Sequence, residues 1–227
     1  MTSTPPAAAA RYTGARVHRV EDDRLLTGRG TFVDDVVRPG MLHACFVRSP
    51  FARARILGID PTTALDVPGV HDGFTADDLN GDAHPYFYGS IGPVPDTPRP
   101  PLAEGEARFV GDPVALVVAD DRYLAEDGAE LVDVDYEPLS PVVDYATATT
   151  ADELVHEEYE HNVAGYLRGR RPDPVDEVFD AAPHVVRHTI HQQSHNAVPM
   201  ETRGIVVEWA SGELTIWAAT QAPHEVR

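Results

Sequence analysis

The sequence predicts an α+β protein, in which strands and helices alternate through the middle and a β hairpin lies near the end. Residues 113–119, PVALVVA, form a continuous apolar run that is typical of a buried strand. A helical pattern over 122–131, which either Asp120 or Asp121 can cap, leads into residues 132–136, which alternate apolar and polar positions as a half-buried strand does. This strand–helix–strand order suggests an α/β unit. The turn-forming pair Ser211-Gly212 separates two further strand-like runs.

The elements that precede the buried strand are short. Residues 41–49 and 54–60 are rich in apolar and β-forming residues, and a proline follows each run, so both are predicted strands. A short helix is expected over 62–66. Thr75 and Asp78 have the spacing of a capping box, which predicts the start of another short helix.

The second half of the chain has a looser pattern. Residues 89–101 are dense in glycine and proline and are predicted to form a surface loop. Residues 137–183 carry prolines and many acids, which indicates a connecting region with little regular structure. Residues 185–193 and 203–209 are predicted strands, and 213–219 is the predicted returning strand of the hairpin.

These patterns divide the chain into four parts. We expect a disordered tail over residues 1–14, a strand-and-helix domain over 15–140, a linker over 141–183, and the beginning of a β-rich domain over 184–227. The last part contains little more than one hairpin, so we expect this domain to be incomplete.

Composition excludes several classes of function. The net charge is −19 and all 18 basic residues are arginine, which argues against binding to nucleic-acid phosphates or to anionic membranes. Cys45 is the only cysteine, so neither an internal disulfide nor a four-thiolate iron–sulfur cluster is possible within these residues. The start of the chain does not resemble a secretory signal, and no apolar run approaches the roughly 20 residues of a membrane helix. We therefore expect a soluble, cytoplasmic protein.

Two motif-like patterns fail on their spacing. Gly28-Arg29-Gly30 begins like a dinucleotide-binding loop, but Val33 stands where the last glycine is needed, so a turn is predicted. His156 and His161 resemble a zinc-protease pair, but they lie five residues apart. On a helix that spacing rotates the second ring by about 140° beyond one turn, so the two cannot share a metal.

The remaining metal-ligating residue types also favour structural roles. Four histidines fall in a segment with strand character, which places them in pairs on opposite sides of a strand: His184, His188, His191 and His195. Cys45 lies among apolar neighbours and is predicted to be a packed thiol. We therefore predict no metal ligand in this chain.

Four segments together resemble a known family. Residues 19–35, 48–56, 101–115 and 125–139 are similar, in order and spacing, to the opening of the large subunit of molybdenum hydroxylases. This superfamily includes xanthine dehydrogenase, aldehyde oxidase and aerobic carbon monoxide dehydrogenase. The resemblance implies an α/β-hammerhead domain over 15–140, followed by the start of a molybdopterin-binding domain.

The resemblance continues in the hairpin region. Residues 199–204, PMETRG, and 212–224, GELTIWAATQAPH, are similar to family segments, and the second of these enters the molybdenum pocket. Gln221 matches the family glutamine that donates a hydrogen bond to an oxo ligand of molybdenum, a role suited to a neutral amide. Glu201 is expected to be a structural acid paired with Arg203, because the family's general-base glutamate lies elsewhere. No catalytic residue is therefore expected within this chain.

The resemblance implies a cofactor set and partners for a complete assembly. The cofactor would be molybdenum–molybdopterin in its cytosine dinucleotide form. A medium subunit would carry FAD, a small subunit would carry 2Fe-2S clusters, and further polypeptide would complete the molybdenum subunit. The assembly would oxidise or hydroxylate an aldehyde, an N-heterocycle or a similar small substrate with oxygen from water.

Three interpretations of the chain remain open, because the family's subunit is several times longer and the chain is not expected to catalyse alone. It could be one part of a split subunit, completed by a second polypeptide. It could be an inactive truncated product. Less favoured is a non-catalytic binding or assembly module that uses the hammerhead domain for docking. The residues do not identify the substrate.

Overall fold

The computed structural model describes residues 17–82, 100–163, 175–193, 195 and 198–224. The predicted tail over 1–14 and residues 89–99 of the predicted loop lie outside the described residues. The chain divides into two compact units, which we call the central unit, Gly40–His188, and the terminal unit, Met1–Pro39 with Thr189–Arg227.

The described residues form short helices and strands. The strands are β1 (His43–Arg48), β2 (Ala54–Asp60), β3 (Val70–Phe74), β4 (Glu106–Ala107), β5 (Pro113–Ala119), β6 (Asp133–Pro138), β7 (Ile205–Ala210) and β8 (Glu213–Ala218). The α-helices are α1 (Asp22–Leu26), α2 (Thr62–Leu65), α3 (Ala76–Leu79), α4 (Arg122–Glu130) and α5 (Val175–Ala181). Short 3₁₀ turns occur at Val33–Asp35, Asn80–Asp82 and Ala148–Thr150. None of the helices in these ranges has the length and apolar character that crossing a membrane requires.

The central unit contains two three-stranded antiparallel sheets, with strand orders β1-β5-β3 and β4-β2-β6. The predicted strand–helix–strand order over β5, α4 and β6 is correct, but β5 and β6 belong to different sheets. Each pairs with antiparallel neighbours, so the strands do not form the parallel pair of an α/β unit. The architecture is therefore α+β, as the sequence predicts.

Apolar side chains of β5 form the centre of this unit. Val117 and Ala115 pack in one buried cluster and Val114 in another, and Val47 contacts both. Helix α4 lies close to the sheet, since a Cβ at Gly128 would come within 3.0 Å of the Val117 Cγ1 atom. The face of β5 that carries Ala115, Val117 and Ala119 is therefore buried, whereas Leu116 and Val118 on the other face are partly exposed.

Local capping signals of the central unit form as predicted. Asp121 precedes α4, and its Oδ1 atom accepts a hydrogen bond of 2.9 Å from the Leu124 amide. Thr75 precedes α3, and its amide donates to Asp78 Oδ2 at 2.8 Å. Cys45 is half-buried in β1, and this burial raises the pKa of its thiol, in agreement with the predicted packed thiol.

The proline-rich region after β6 is attached to the central unit by side chains. Asn162 accepts a hydrogen bond from the Val155 amide at 2.8 Å and donates to the Ala148 carbonyl at 3.0 Å. Arg108 Nε donates to the Val155 carbonyl at 3.2 Å. Residues 141–163 therefore have an ordered path despite their scarcity of regular structure.

Three local expectations differ from the structure. Strand β3 is not predicted, because VHDGF lacks a clear apolar pattern, yet it pairs with β5. Helix α5 occurs within the region expected to have little regular structure. The strand predicted over 185–193 is wrong: these residues join no sheet, and Val186 and Ile190 are highly exposed. β-branched residues favour extended backbone but do not supply a partner strand.

The terminal unit contains α1 and the β7–β8 hairpin. After α1, Gly28 has a φ of 70°, and the Arg29 amide donates to the Arg24 carbonyl at 2.7 Å, which is the pattern of a Schellman motif. The predicted turn at Gly28 is therefore a helix cap. The predicted hairpin is confirmed, and Ser211 and Gly212 adopt φ angles of 55° and 83° at its turn.

Candidate cofactor-binding segment

Gln221 lies just beyond the end of β8, on a short hydrogen-bonded turn. The Ala219 amide donates to the Gly204 carbonyl at 3.2 Å, which continues the hairpin pairing past Ala218. Thr220 Oγ1 then accepts a hydrogen bond of 3.1 Å from the Ala222 amide, which closes the turn around Gln221. The Gln221 side chain is exposed, so its amide is available to a ligand rather than packed against the hairpin.

Arg38 holds the two strands of the hairpin together on one face. Its Nε and Nη2 atoms donate to the two carboxylate oxygens of Glu208 at 3.0 and 2.8 Å. Its guanidinium carbon lies 5.3 Å from the centre of the Trp217 ring, within the range of a cation–π contact. Glu208 belongs to β7 and Trp217 to β8, so one side chain links both strands. The hydrogen bond with Glu208 raises the pKa of Arg38.

Val33 makes a second contact with the start of the hairpin. Its side chain fills the space beside Gly204, where a Cβ would lie 3.0 Å from the Val33 Cγ1 atom. The Val33 amide donates to Glu201 Oε1 at 3.4 Å. The ion pair expected between Glu201 and Arg203 does not form within 198–224, because the Glu201 carboxylate turns toward this backbone donor instead.

The histidines singled out by spacing are placed apart from any common ligand site. His156 Nδ1 lies 3.1 Å from Glu158 Oε1, and His161 Nδ1 accepts a hydrogen bond of 3.3 Å from the Val163 amide. The four later histidines are each exposed: His184, His188, His191 and His195. Within the ranges that the structure describes, no three His, Cys, Asp or Glu side chains are grouped so that they could hold a metal ion.

The arrangement around Gln221 is therefore suited to hydrogen bonding rather than to direct metal ligation. The amide of glutamine both donates and accepts, and it does not titrate. The carboxylate of Glu208 on β7 is already engaged by both of its oxygens with Arg38. The segment can orient a bound group through a neutral donor at the end of a fixed strand.

The sequence matches a family over half of its length. Residues 27–140 match the family described as aldehyde oxidase and xanthine dehydrogenase, a/b hammerhead domain. The chain belongs to this family. Residues 155–227 match a second description, the molybdopterin cofactor-binding domain. The hammerhead fold expected from the resemblance is confirmed, and Gln221 lies inside the second matched region.

Individual relatives agree with this assignment. The chain is 41% identical to the nicotine 6-hydroxylase large subunit of Paenarthrobacter nicotinovorans, over 98% of the chain and 28% of that protein. It is 36% identical to the carbon monoxide dehydrogenase large chain of Afipia carboxidovorans, over 100% of the chain and 29% of that protein. Its structure is similar to that of quinoline 2-oxidoreductase from Pseudomonas putida 86, with a TM-score of 0.78 and 39% identity, over 90% of the chain and 26% of the other.

Two facts follow for this molybdenum hydroxylase family chain. It spans less than a third of the length of the relatives named above. It also contains a contact that the sequence pattern does not reveal, between Arg38 and the hairpin residues Glu208 and Trp217. Arg38 precedes Pro39-Gly40 in what resembles an ordinary turn, and its partner Glu208 lies 170 residues away. No local spacing signals such a contact.

Proposed function

We propose that this chain forms part of the molybdenum-cofactor subunit of an oxidoreductase that hydroxylates an N-heterocycle, an aldehyde or a similar small molecule. The observation that carries the proposal is the exposed amide of Gln221 within a region that matches the molybdopterin cofactor-binding domain. The cofactor supplies the two-electron oxidation in which a substrate C–H bond takes up an oxygen from water, with release of two protons and two electrons.

In this proposal, residues of the chain position the bound cofactor and the hairpin beside it. Gln221 would donate a hydrogen bond to an oxygen ligand of the cofactor, and the turn closed by Thr220 holds the backbone around Gln221 in place. Arg38 fixes the strand that precedes this turn through Glu208 and Trp217. A general-base glutamate belongs to polypeptide other than these 227 residues.

The proposal extends to partners and location. A small subunit would carry 2Fe-2S clusters and a medium subunit would carry FAD as electron acceptors, and the molybdenum cofactor would have the cytosine dinucleotide form. Relatives named as large subunits, such as the nicotine 6-hydroxylase protein, support a multi-subunit assembly. We place the assembly in the cytoplasm.

The test is to co-express the chain with the remaining large-subunit polypeptide and with medium and small subunits. Molybdenum content is measured by mass spectrometry, and oxidation of quinoline, nicotine and aldehydes is measured with a dye as electron acceptor. Gln221→Ala should lower turnover about 10- to 100-fold, in the range found when a group that orients metal ligands is removed. An assembly that holds molybdenum and turns over equally well with Gln221→Ala would refute the role of this residue.

A matched control is Gln192→Ala, which removes another exposed glutamine amide from the terminal unit. It should leave turnover and molybdenum content unchanged. If the assembly forms but contains no molybdenum and no pterin under conditions that load a known relative, the proposed function itself is wrong.

A further inference from the structure

Asn80 joins the end of α3 to the segment that precedes β4 through both polar atoms of its side chain. Its Nδ2 atom donates a hydrogen bond of 2.9 Å to the Leu102 carbonyl, and its Oδ1 atom accepts one of 3.3 Å from the Leu102 amide. Leu102 is fully buried, and the amide of the next residue, Ala103, donates to the Pro113 carbonyl at 2.7 Å. The Asn80 side chain is therefore a clamp, which we call the Asn80 clamp, on a segment that is anchored in the core of the central unit.

Gly81 follows Asn80 directly in the chain, and an asparagine in this position can react with its own backbone. The backbone nitrogen of the next residue attacks the side-chain Cγ atom, the new C–N bond closes a succinimide ring, and ammonia leaves with the proton of that nitrogen. A water molecule then opens the ring and gives aspartate or isoaspartate. A side chain on the next residue hinders the attack, so glycine, which has none and has the widest backbone freedom, permits it best.

Neither packing nor backbone conformation requires a glycine at position 81. The φ of Gly81 lies outside the left-handed range, and a Cβ there would meet no atom of the described residues within 4 Å. Gly81 is also exposed, so water reaches it. The space around its backbone therefore does not obstruct the approach of its nitrogen to the neighbouring side chain.

Asn162 provides a comparison within the same molecule. Its Oδ1 atom accepts from the Val155 amide at 2.8 Å, and its Nδ2 atom donates to the carbonyls of Ala148 and Glu153 at 3.0 and 2.8 Å. Both of its polar atoms are thus held, as in Asn80. The residue that follows is Val163, whose β-branched side chain crowds the backbone nitrogen. The two asparagines therefore share a clamped side chain and differ in the residue that would attack it.

We propose that Asn80 is a site of spontaneous deamidation, with water as the only co-reactant, and that the reaction opens the Asn80 clamp permanently. A carboxylate has no donor, so the product cannot replace the hydrogen bond to the Leu102 carbonyl. It places a negative charge beside that carbonyl oxygen and leaves a buried acceptor without a partner. Isoaspartate also routes the main chain through the former side chain, which moves the carboxylate. Neither product requires molybdenum or a partner subunit.

The clamp itself limits the rate of this reaction. While both polar atoms of Asn80 are bound to Leu102, the side chain is not free to turn its Cγ atom toward the Gly81 nitrogen. Deamidation therefore proceeds from molecules in which the clamp has opened locally, and its rate reports how often this opening occurs.

The test is to incubate the full 227-residue chain at neutral pH and to follow each asparagine by peptide mapping with mass spectrometry. Conversion at Asn80 in the folded chain should be at least tenfold faster than at Asn162. In guanidinium chloride, where the clamp is absent, conversion at Asn80 should be at least tenfold faster than in the folded chain. Both comparisons use the unmodified sequence, so neither depends on whether a variant folds.

Two variants separate the reaction from its consequence. Gly81→Ala adds a methyl group in open space, so it should slow conversion of Asn80 at least tenfold and leave the urea unfolding midpoint unchanged. Asn80→Asp reproduces one product and should lower the urea midpoint, measured by circular dichroism, by about 0.5–1 M. Gln192→Glu makes the same amide-to-carboxyl change at an exposed residue, and its midpoint should equal that of the unmodified chain.

Several outcomes would overturn the inference. Absence of conversion at Asn80 in the folded chain, equal conversion at Asn80 and Asn162, or an unchanged rate in Gly81→Ala would each refute the modification site. Equal rates at Asn80 in the folded and unfolded chains would refute the control of the reaction by the clamp. An Asn80→Asp chain as stable as the Gln192→Glu chain would refute the loss of the clamp. None of these measurements involves molybdenum or turnover, so they leave the proposed function to its own test.

Discussion

Replacing Arg53 with methionine should leave the Glu106 carboxylate without a partner inside the central unit. Arg53 is 7% exposed, and its Nε atom donates to Glu106 Oε1 at 2.7 Å. Its Nη2 atom donates to Glu157 Oε1 at 3.2 Å, and its Nη1 atom donates to the Ser140 carbonyl at 3.4 Å. The hydrogen bond with Glu106 raises the pKa of Arg53. Methionine retains the apolar stem but supplies none of these donors.

The two carboxylates contribute unequally to the expected loss. Glu157 is 73% exposed, so its ion pair with Arg53 contributes at most about 1 kcal/mol. Glu106 is only 16% exposed, and removing one partner of a buried pair costs about 3–5 kcal/mol. Because Glu106 retains some contact with solvent, we expect the free energy of unfolding to fall by about 2–4 kcal/mol. For a domain of this size, a loss of about 3 kcal/mol lowers the Tm by roughly 6–12 °C.

The assay is urea unfolding followed by far-UV circular dichroism, because Trp209 and Trp217 both lie in the hairpin and would report on the terminal unit. Arg55→Met, two residues further along the chain and within β2, is the matched control. Its partner Glu137 and Arg55 itself are each 50% exposed, so its loss should stay within about 1 kcal/mol. If the two variants lose equal stability, the argument from the buried carboxylate is refuted.

Two further predictions concern local geometry and titration. Ser211→Asn should stabilise the hairpin by roughly 0.5–1 kcal/mol, because asparagine tolerates the left-handed φ of 55° better than serine. Urea unfolding followed by tryptophan fluorescence measures this, and an unchanged unfolding midpoint would contradict the prediction. The Thr62 hydroxyl lowers the pKa of Asp60 below its ordinary value of 3.8, with a further contribution from the Thr62 amide. Thr62→Val should therefore raise the Asp60 pKa toward 3.8 in a carboxyl NMR titration. A lowered pKa stabilises the fold above the unfolded-state value, so the stability difference should be present at neutral pH and vanish as pH falls through the folded-state pKa.

Local patterns were sufficient for most elements of the central unit. The apolar run of β5, the Asp121 cap and the Thr75–Asp78 spacing each depend on residues within one turn or one strand, and each forms as predicted. Strand β3 could not be predicted in this way, because its place in the sheet depends on pairing with β5 more than 40 residues later. The strand expected over 185–193 does not form for a related reason, because a preference for extended backbone does not by itself provide a hydrogen-bonded partner strand.

In the candidate site too, local features are predictable from the sequence and long-range contacts are not. The position of Gln221 after a strand, and its family match, are readable from the sequence, and its contact with the cofactor stays a prediction. The Arg38–Glu208–Trp217 contact joins residues 170 positions apart and leaves no periodic trace.

The sequence by itself determined the family, the α+β class and the hairpin, because hydrophobic period, caps and turn residues act over a few positions along the chain. Only the tertiary structure decided that β5 and β6 lie in separate sheets, that Arg53 is buried against Glu106, and that Arg38 contacts both strands of the hairpin. These features depend on which surfaces meet when the chain is packed. Such contacts depend on the free energy of the whole fold rather than on any one segment.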